Sequence, residues 1–135
     1  MKTILHKNDN SETILTHIAE GHDISSISSQ LGGCQVDLKD IDLNYITAYK
    51  IENNKPVLDL EKVRSLKVEQ IRNQRDEAFF DFDRRYDIAL KDESDLSLLK
   101  QERQQLKDAP QKAEVYLDSC VSLQEMNVLN IDKVM

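Results

Sequence analysis

The sequence predicts an α+β protein, a small β-rich N-terminal unit followed by a long antiparallel helical hairpin. Two features carry that expectation. Glycine and the turn-forming clusters concentrate upstream of residue 58, where apolar residues come in short β-leaning runs. Downstream, from Asp59 to about Lys91, neither Gly nor Pro occurs, and apolar residues recur at helical spacing.

In the first part, Thr3 to Lys7 and Glu12 to Ile18 are expected to form a β-hairpin. They are separated by Asn8-Asp9-Asn10-Ser11, whose side chains hydrogen-bond nearby backbone and favour a turn. Asp23 is placed to cap a short helix carrying Ile24, Ile27 and Leu31 on one face, and Gly32-Gly33 should stop it. A third strand follows. Tyr45 to Ile51 and Pro56 to Leu58 flank Glu52-Asn53-Asn54-Lys55, which predicts a second hairpin or a strand and tight turn, with Pro56 restricted to an edge.

In the second part, Val68, Ile71, Ala78, Phe79, Phe82, Tyr86, Ala89 and Leu90 mark the apolar stripe of one long helix, with Asp59 as its N-cap and Glu61 in its first turn. Asp81 and Arg85 can pair across one turn. Asp92-Glu93-Ser94-Asp95 offers a capping-rich start for a second helix along Leu96, Leu99 and Leu106, expected to run to about Asp108 and to end at Ala109-Pro110. The expected divisions are therefore 1–58 for the β-rich unit, 59–108 for the hairpin, and 109–135 for a loosely attached C-terminal tail with weak helix.

Composition narrows the function. The chain has 135 residues, 18 basic and 25 acidic side chains and a net charge of −7. This balance argues against a broad footprint on nucleic-acid backbone or on anionic lipid. No run approaches the roughly 20 apolar residues that span a bilayer, so no membrane partner is expected. Four tyrosines, three phenylalanines and no tryptophan suit a thin core better than a large enclosed cavity.

Candidate chemistry is sparse. His6, His17 and His22 lack the one-turn spacing of a zinc motif and read as surface histidines. Cys34 and Cys120 are far apart and read as free thiols, although two cysteines permit one bridge. Ser25, Ser26, Ser28 and Ser29 lack a nucleophile elbow, and Gly32-Gly33 lacks the context of a phosphate loop. Asp76, Glu77, Asp81, Asp83 and Asp87 could hold a cation or pair for acid-base work, but with Arg72, Arg75, Arg84 and Arg85 interleaved they read as a solvated, salt-bridged face. No cofactor, metal or enzymatic activity is expected. Phe79, Phe82 and Tyr86 share one helix face, which is core, a docking surface for a partner or second copy, or both.

Three segments in order carry a resemblance: Val57-Leu58-Asp59-Leu60-Glu61-Lys62-Val63-Arg64, Gln70-Ile71-Arg72-Asn73-Gln74-Arg75-Asp76, and Arg103-Gln104-Gln105-Leu106-Lys107-Asp108-Ala109-Pro110. Over residues 57–110 the chain resembles the C-terminal helical region of small tailed-bacteriophage proteins from tail and tail-fibre gene clusters, including chaperone-like tail-fibre assembly proteins. The resemblance departs where fibre-assembly proteins often carry tryptophans, which this chain lacks. It implies a non-enzymatic tail-associated protein, an accessory virion component or a tail-fibre assembly factor, acting by protein–protein binding. The implied partner is a phage tail or tail-fibre protein, with a homo-oligomer through the long helix as a further possibility. The implied location is the host cytoplasm during assembly or the virion tail. The alternative is an acidic phage-encoded inhibitor or adaptor of a host protein, presenting its carboxylates as a nucleic-acid-like surface.

Overall fold

The structure, a computed structural model, describes residues 2–135 and is an α+β fold with small antiparallel sheets followed by two long helices. The chain divides into two compact units, Met1–Val63 and Arg64–Met135. The break thus lies inside the long helix, a few residues beyond the expected one at 58, because helical backbone runs without interruption through it.

In the first unit, β1 (Lys2–Lys7) pairs with β2 (Thr13–Ile18), and β3 (Cys34–Val36) joins the other side of β1, all antiparallel. The register sets Leu5 opposite both Leu15 and Cys34. The strand β1 is central and covered on both faces: Thr3, Ile4, Leu5 and His6 are all buried. On one face Leu5, Cys34, Ile41 and Tyr49 form a core against Leu15, Val36, Ile46, Ile51 and Leu58.

Helix α1 (Ile24–Leu31) opens where the Asp23 carboxylate accepts from the Ser25 and Ser26 amides and closes at Gly32, whose φ of 64° is left-handed. Gly33 takes part in the expected helix stop, its amide donating to the Ser28 carbonyl at 3.0 Å, and it has a second role. A Cβ there would lie 2.8 Å from both Ile4 Cγ2 and His6 Cβ and would collide with the Leu5 carbonyl oxygen. Only glycine lets this backbone lie so close to β1.

The second hairpin is β4 (Tyr49–Glu52) with β5 (Lys55–Leu58), turned by Asn53 and Asn54 at φ 51° and 60°, the left-handed pair that a two-residue hairpin turn requires. Residues 45–48, expected as strand, instead belong to a 3-10 stretch, Leu43–Ala48. Asp42 diverts them: its carboxylate accepts from the Asn44 amide at 3.0 Å, and its carbonyl accepts from the Tyr45 amide at 3.0 Å.

The long helix α2 (Leu60–Lys91) starts at the expected cap, Asp59 Oδ1 accepting from the Glu61 and Lys62 amides. It ends in a left-handed closure. Glu93 sits at φ 53°, with Glu93 N donating to Leu90 O and Ser94 N to Ala89 O. Within Asp92–Asp95, then, the first three residues close one helix, and Asp95 opens the next by accepting from the Ser97 amide and hydroxyl.

Helix α3 (Ser97–Asp118) does not end at Pro110 but continues through it for two more turns. The reason is burial on both sides of the proline. Leu106, Ala109, Pro110, Ala113 and Leu117 form one buried stripe, and their burial outweighs a proline cost of about 3 kcal/mol in a helix interior. The two helices run antiparallel: Arg64, Arg72 and Arg85 of α2 reach Leu117, Glu114 and Glu102 of α3, in descending order.

Residues 119–135 are not a loose tail. Helix α4 (Leu123–Asn127) is capped by Ser122 Oγ, which accepts from the Glu125 amide, and a 3-10 turn spans Ile131–Lys133. Met126, Leu129 and Val134 are buried, and the Ile131 amide donates to Gln74 Oε1 of α2 at 3.1 Å. Apolar residues at 123, 126, 129, 131 and 134 were too irregularly spaced to announce this packing.

Candidate functional site

The outer half of the hairpin carries the aromatic residues singled out by sequence. Phe82 is 1% exposed, whereas Phe79 and Tyr86 are half-buried beside it. Phe79 meets Phe82 edge-on, with centroids 6.1 Å apart and planes at 87°; Phe82 stacks on Tyr86 at 5.9 Å and 28°. These are the preferred arrangements of aromatic quadrupoles, so the cluster is a packed core edge with two partly open flanks.

Over it lies Arg85, its guanidinium carbon 5.8 Å from the Phe82 centroid. Arg85 also donates to both carboxylate oxygens of Glu102 on α3 and, through Nε, to Asp81 Oδ2 at 2.9 Å. The hydrogen bonds from Arg85 hold the Glu102 carboxyl below the usual glutamate range, while those from Arg84 and Arg85 lower Asp81. The guanidinium is in turn held charged by Glu102 and Asp81.

The fully exposed aromatic is one that sequence reading passed over. Phe80 is 80% exposed. The signal was the pair Phe79-Phe80 itself, since neighbours on a helix point about 100° apart and cannot share a stripe. Around it, ion pairs join Arg75 to Asp76, Arg84 to Asp81, Arg72 to Glu69 and to Glu114, and Lys91 to Asp87. The acidic band is thus a solvated face laced with arginine. Among the described residues Glu77 and Asp83 make no ion pair.

The remaining candidates are dispersed. His6 is buried, contrary to the surface position expected of it, because β1 is covered on both faces; its Nε2 lies 2.6 Å from Thr16 Oγ1 and its Nδ1 3.2 Å from the Lys7 carbonyl. His17 engages Thr3 Oγ1 through Nδ1 at 2.9 Å. His22 lies at the mouth of a surface recess with Lys2, Ile18 and Glu20. Among the described residues no three His, Cys, Asp or Glu side chains converge as metal ligands. Cys34 and Cys120 are free and buried, one in each unit, and burial pushes both thiols up. Ser28 is spent on structure, donating to the Gly33 carbonyl at 2.7 Å. No helix is long and apolar enough to cross a membrane among the described residues.

The chain was compared with protein-family models, with curated proteins and with solved structures, and it matches none of them.

Proposed function

We propose that this chain is a non-enzymatic bacteriophage tail-associated protein, an accessory virion component or tail-fibre assembly factor that works by binding a tail or tail-fibre protein. The observation that carries the reading is where the resembling segments fall. Residues 57–110 cover α2 and most of α3, including the Arg85–Glu102 clamp between them, so the likeness falls on one local arrangement of two helices rather than on a scattered composition. Such a hairpin is a stiff arm. Its charged sides keep it solvated, and exposed apolar side chains such as Phe80 and Leu98, each 80% exposed, offer contact points for a protein partner.

Mass spectrometry of purified phage particles tests the proposal, together with affinity isolation of the tagged chain from infected cells. Stoichiometric presence in particles makes it a virion component. Absence from particles with recovery of a tail or tail-fibre protein makes it an assembly factor acting in the host cytoplasm. Absence from both overturns the proposal.

A further inference from the structure

The three-stranded sheet of the first unit leaves one long edge open. Asn8 N donates to the Glu12 carbonyl at 2.9 Å where β1 turns into β2. Bonded pairs in an antiparallel ladder recur at every second residue, so His6–Ile14, Ile4–Thr16 and Lys2–Ile18 are the bonded pairs of this register. Thr13, Leu15 and His17 therefore turn their amides and carbonyls away from β1. The placing of β3 agrees, because it pairs with Thr3 and Leu5, the β1 residues whose backbone faces away from β2. The 3-10 stretch Leu43–Ala48 packs against β2, and Thr13 Oγ1 donates to the Tyr49 carbonyl at 2.8 Å. Among the described residues, however, no backbone group bonds to the outward side of Leu15 or His17. The usual guards of a sheet edge are missing as well. Strand β2 has six residues, with no Lys, Pro or Gly, whereas β3 has three, and β4 and β5 have four each, with Lys50, Lys55 and Pro56 among them.

We propose that the outer edge of β2 takes up an extended strand of a partner protein, one with alternating β-branched side chains and basic residues at its ends. This goes beyond the tail-protein reading and does not depend on it.

The chemistry of the edge selects this occupant. Leu15 and His17 offer two amide donors and two carbonyl acceptors, the two residues about 7 Å apart, a spacing that only another extended backbone matches. Ile14, Thr16 and Ile18 form a half-buried row on the face opposite Leu15, and a neighbouring strand continues that row best with β-branched side chains. Glu12 and Glu20 bracket the strand, both exposed and neither in an ion pair among the described residues. Lys2 and Lys7 stand on β1, one strand further in. The ends of the edge are therefore acidic and call for basic residues on the incoming strand. The same carboxylates disfavour a second copy. Pairing β2 with its own antiparallel image so that Leu15 faces His17 sets Glu12 opposite Glu20 twice, and centring the pair on Leu15 sets those carboxylates on diagonal positions.

Amide NMR of the full chain, titrated with a synthetic peptide of alternating valine and threonine with lysines at both ends, tests this. The expected result is a shift and slowed hydrogen exchange at the Leu15 and His17 amides. The same peptide methylated on alternate backbone nitrogens should not bind, and one ended by glutamates should bind about tenfold more weakly. His17→Pro removes an outward donor and no bond to β1, so it should weaken binding by about tenfold or more, whereas His17→Ala keeps the amide and should stay within about threefold of wild type. Circular dichroism checks the fold of both variants, and the methylated peptide tests the edge on the unaltered chain. Absence of shifts at Leu15 and His17 with millimolar peptide overturns the proposal. So does binding that survives backbone methylation, or equal binding of the glutamate-ended peptide. Concentration-dependent shifts at those two amides without peptide would give the edge to a second copy and overturn it as well. None of these readouts involves phage particles, so this proposal and the tail-protein reading fail separately.

Discussion

Arg85 of α2 grips Glu102 of α3 through two parallel hydrogen bonds, Nη1 to Oε2 at 3.0 Å and Nη2 to Oε1 at 2.5 Å, while its carbon end lies over the ring of Phe82. One side chain therefore fixes the register of the helices and roofs the aromatic core beneath it. Fork-to-fork geometry makes this contact more specific than the single-point pairs elsewhere on the hairpin. Its energy is nevertheless modest, because the side chains are 41% and 30% exposed and solvent screens them.

That pair should leave a trace in the pH dependence of stability. Glu102 has a lowered carboxyl pKa in the folded state, through its bonds to Arg85. Its contribution is present above the unfolded value, about 4.3, and is lost as pH falls through the lower folded value. Urea titrations from pH 7 down to pH 3 should show Glu102→Gln costing about 1 kcal/mol or less at neutral pH. The difference from wild type should shrink toward the acid end. A gap that widens with acid would contradict the assignment.

Phe82 and Phe80 should behave as opposites although only Asp81 separates them. Phe82→Ala removes a ring that is 1% exposed and should cost roughly 3–5 kcal/mol, independent of protein concentration. Phe80→Ser should change the unfolding free energy by about 0.5 kcal/mol or less at concentrations where the chain is monomeric. Denaturant melts of the two variants side by side check both statements.

Pro110 lies in the middle of α3 on its buried face. Replacing it by alanine restores an amide donor toward Leu106 and removes a ring clash, a relief of up to about 3 kcal/mol, against about 1.6 kcal/mol for two buried methylenes lost. Pro110→Ala should therefore raise the melting temperature with no loss of helical signal. A lower melting temperature would mean that the ring's packing outweighs the backbone cost.

Glu93 occupies the left-handed position that closes α2, at φ 53°. Glycine is free of the Cβ penalty there, so Glu93→Gly should stabilise the chain by about 0.5–1 kcal/mol, read from the denaturation midpoint at unchanged m-value. Destabilisation would place some unrecognised value on the glutamate side chain.

These positions also show where sequence reading succeeds and where it stops. Asp23 and Asp59 announced their helices because a cap is a local arrangement of one carboxylate and the next two or three amides. The hairpin at Asn53-Asn54 was legible for the same reason. Pro110 misled because its penalty is local whereas the burial of Ala109, Ala113 and Leu117 that outweighs it is tertiary. His6 misled likewise: nothing local to it reported that the Gly33 backbone closes over its face of β1, so it read as a surface histidine. Within the candidate surface, Phe82 belongs to the core side of the aromatic stripe, and the exposed ring is Phe80, visible only once adjacent helical residues are separated by angle.

Arg64 donates through Nε to the Leu117 carbonyl at 3.1 Å and through Nη2 to the Cys120 carbonyl at 2.9 Å. Carbonyls at a helix end are normally left to solvent or to a nearby glycine turn; here the terminus of α3 is sealed by a side chain more than fifty residues upstream. The second unit is therefore latched shut at its base. Helical turns can form early and independently, but the latch engages only after the whole hairpin loop has closed, an ordering cost met late in folding. Thermal fraying should accordingly begin at the far turn around Asp92–Asp95, with the base of the hairpin the last to open.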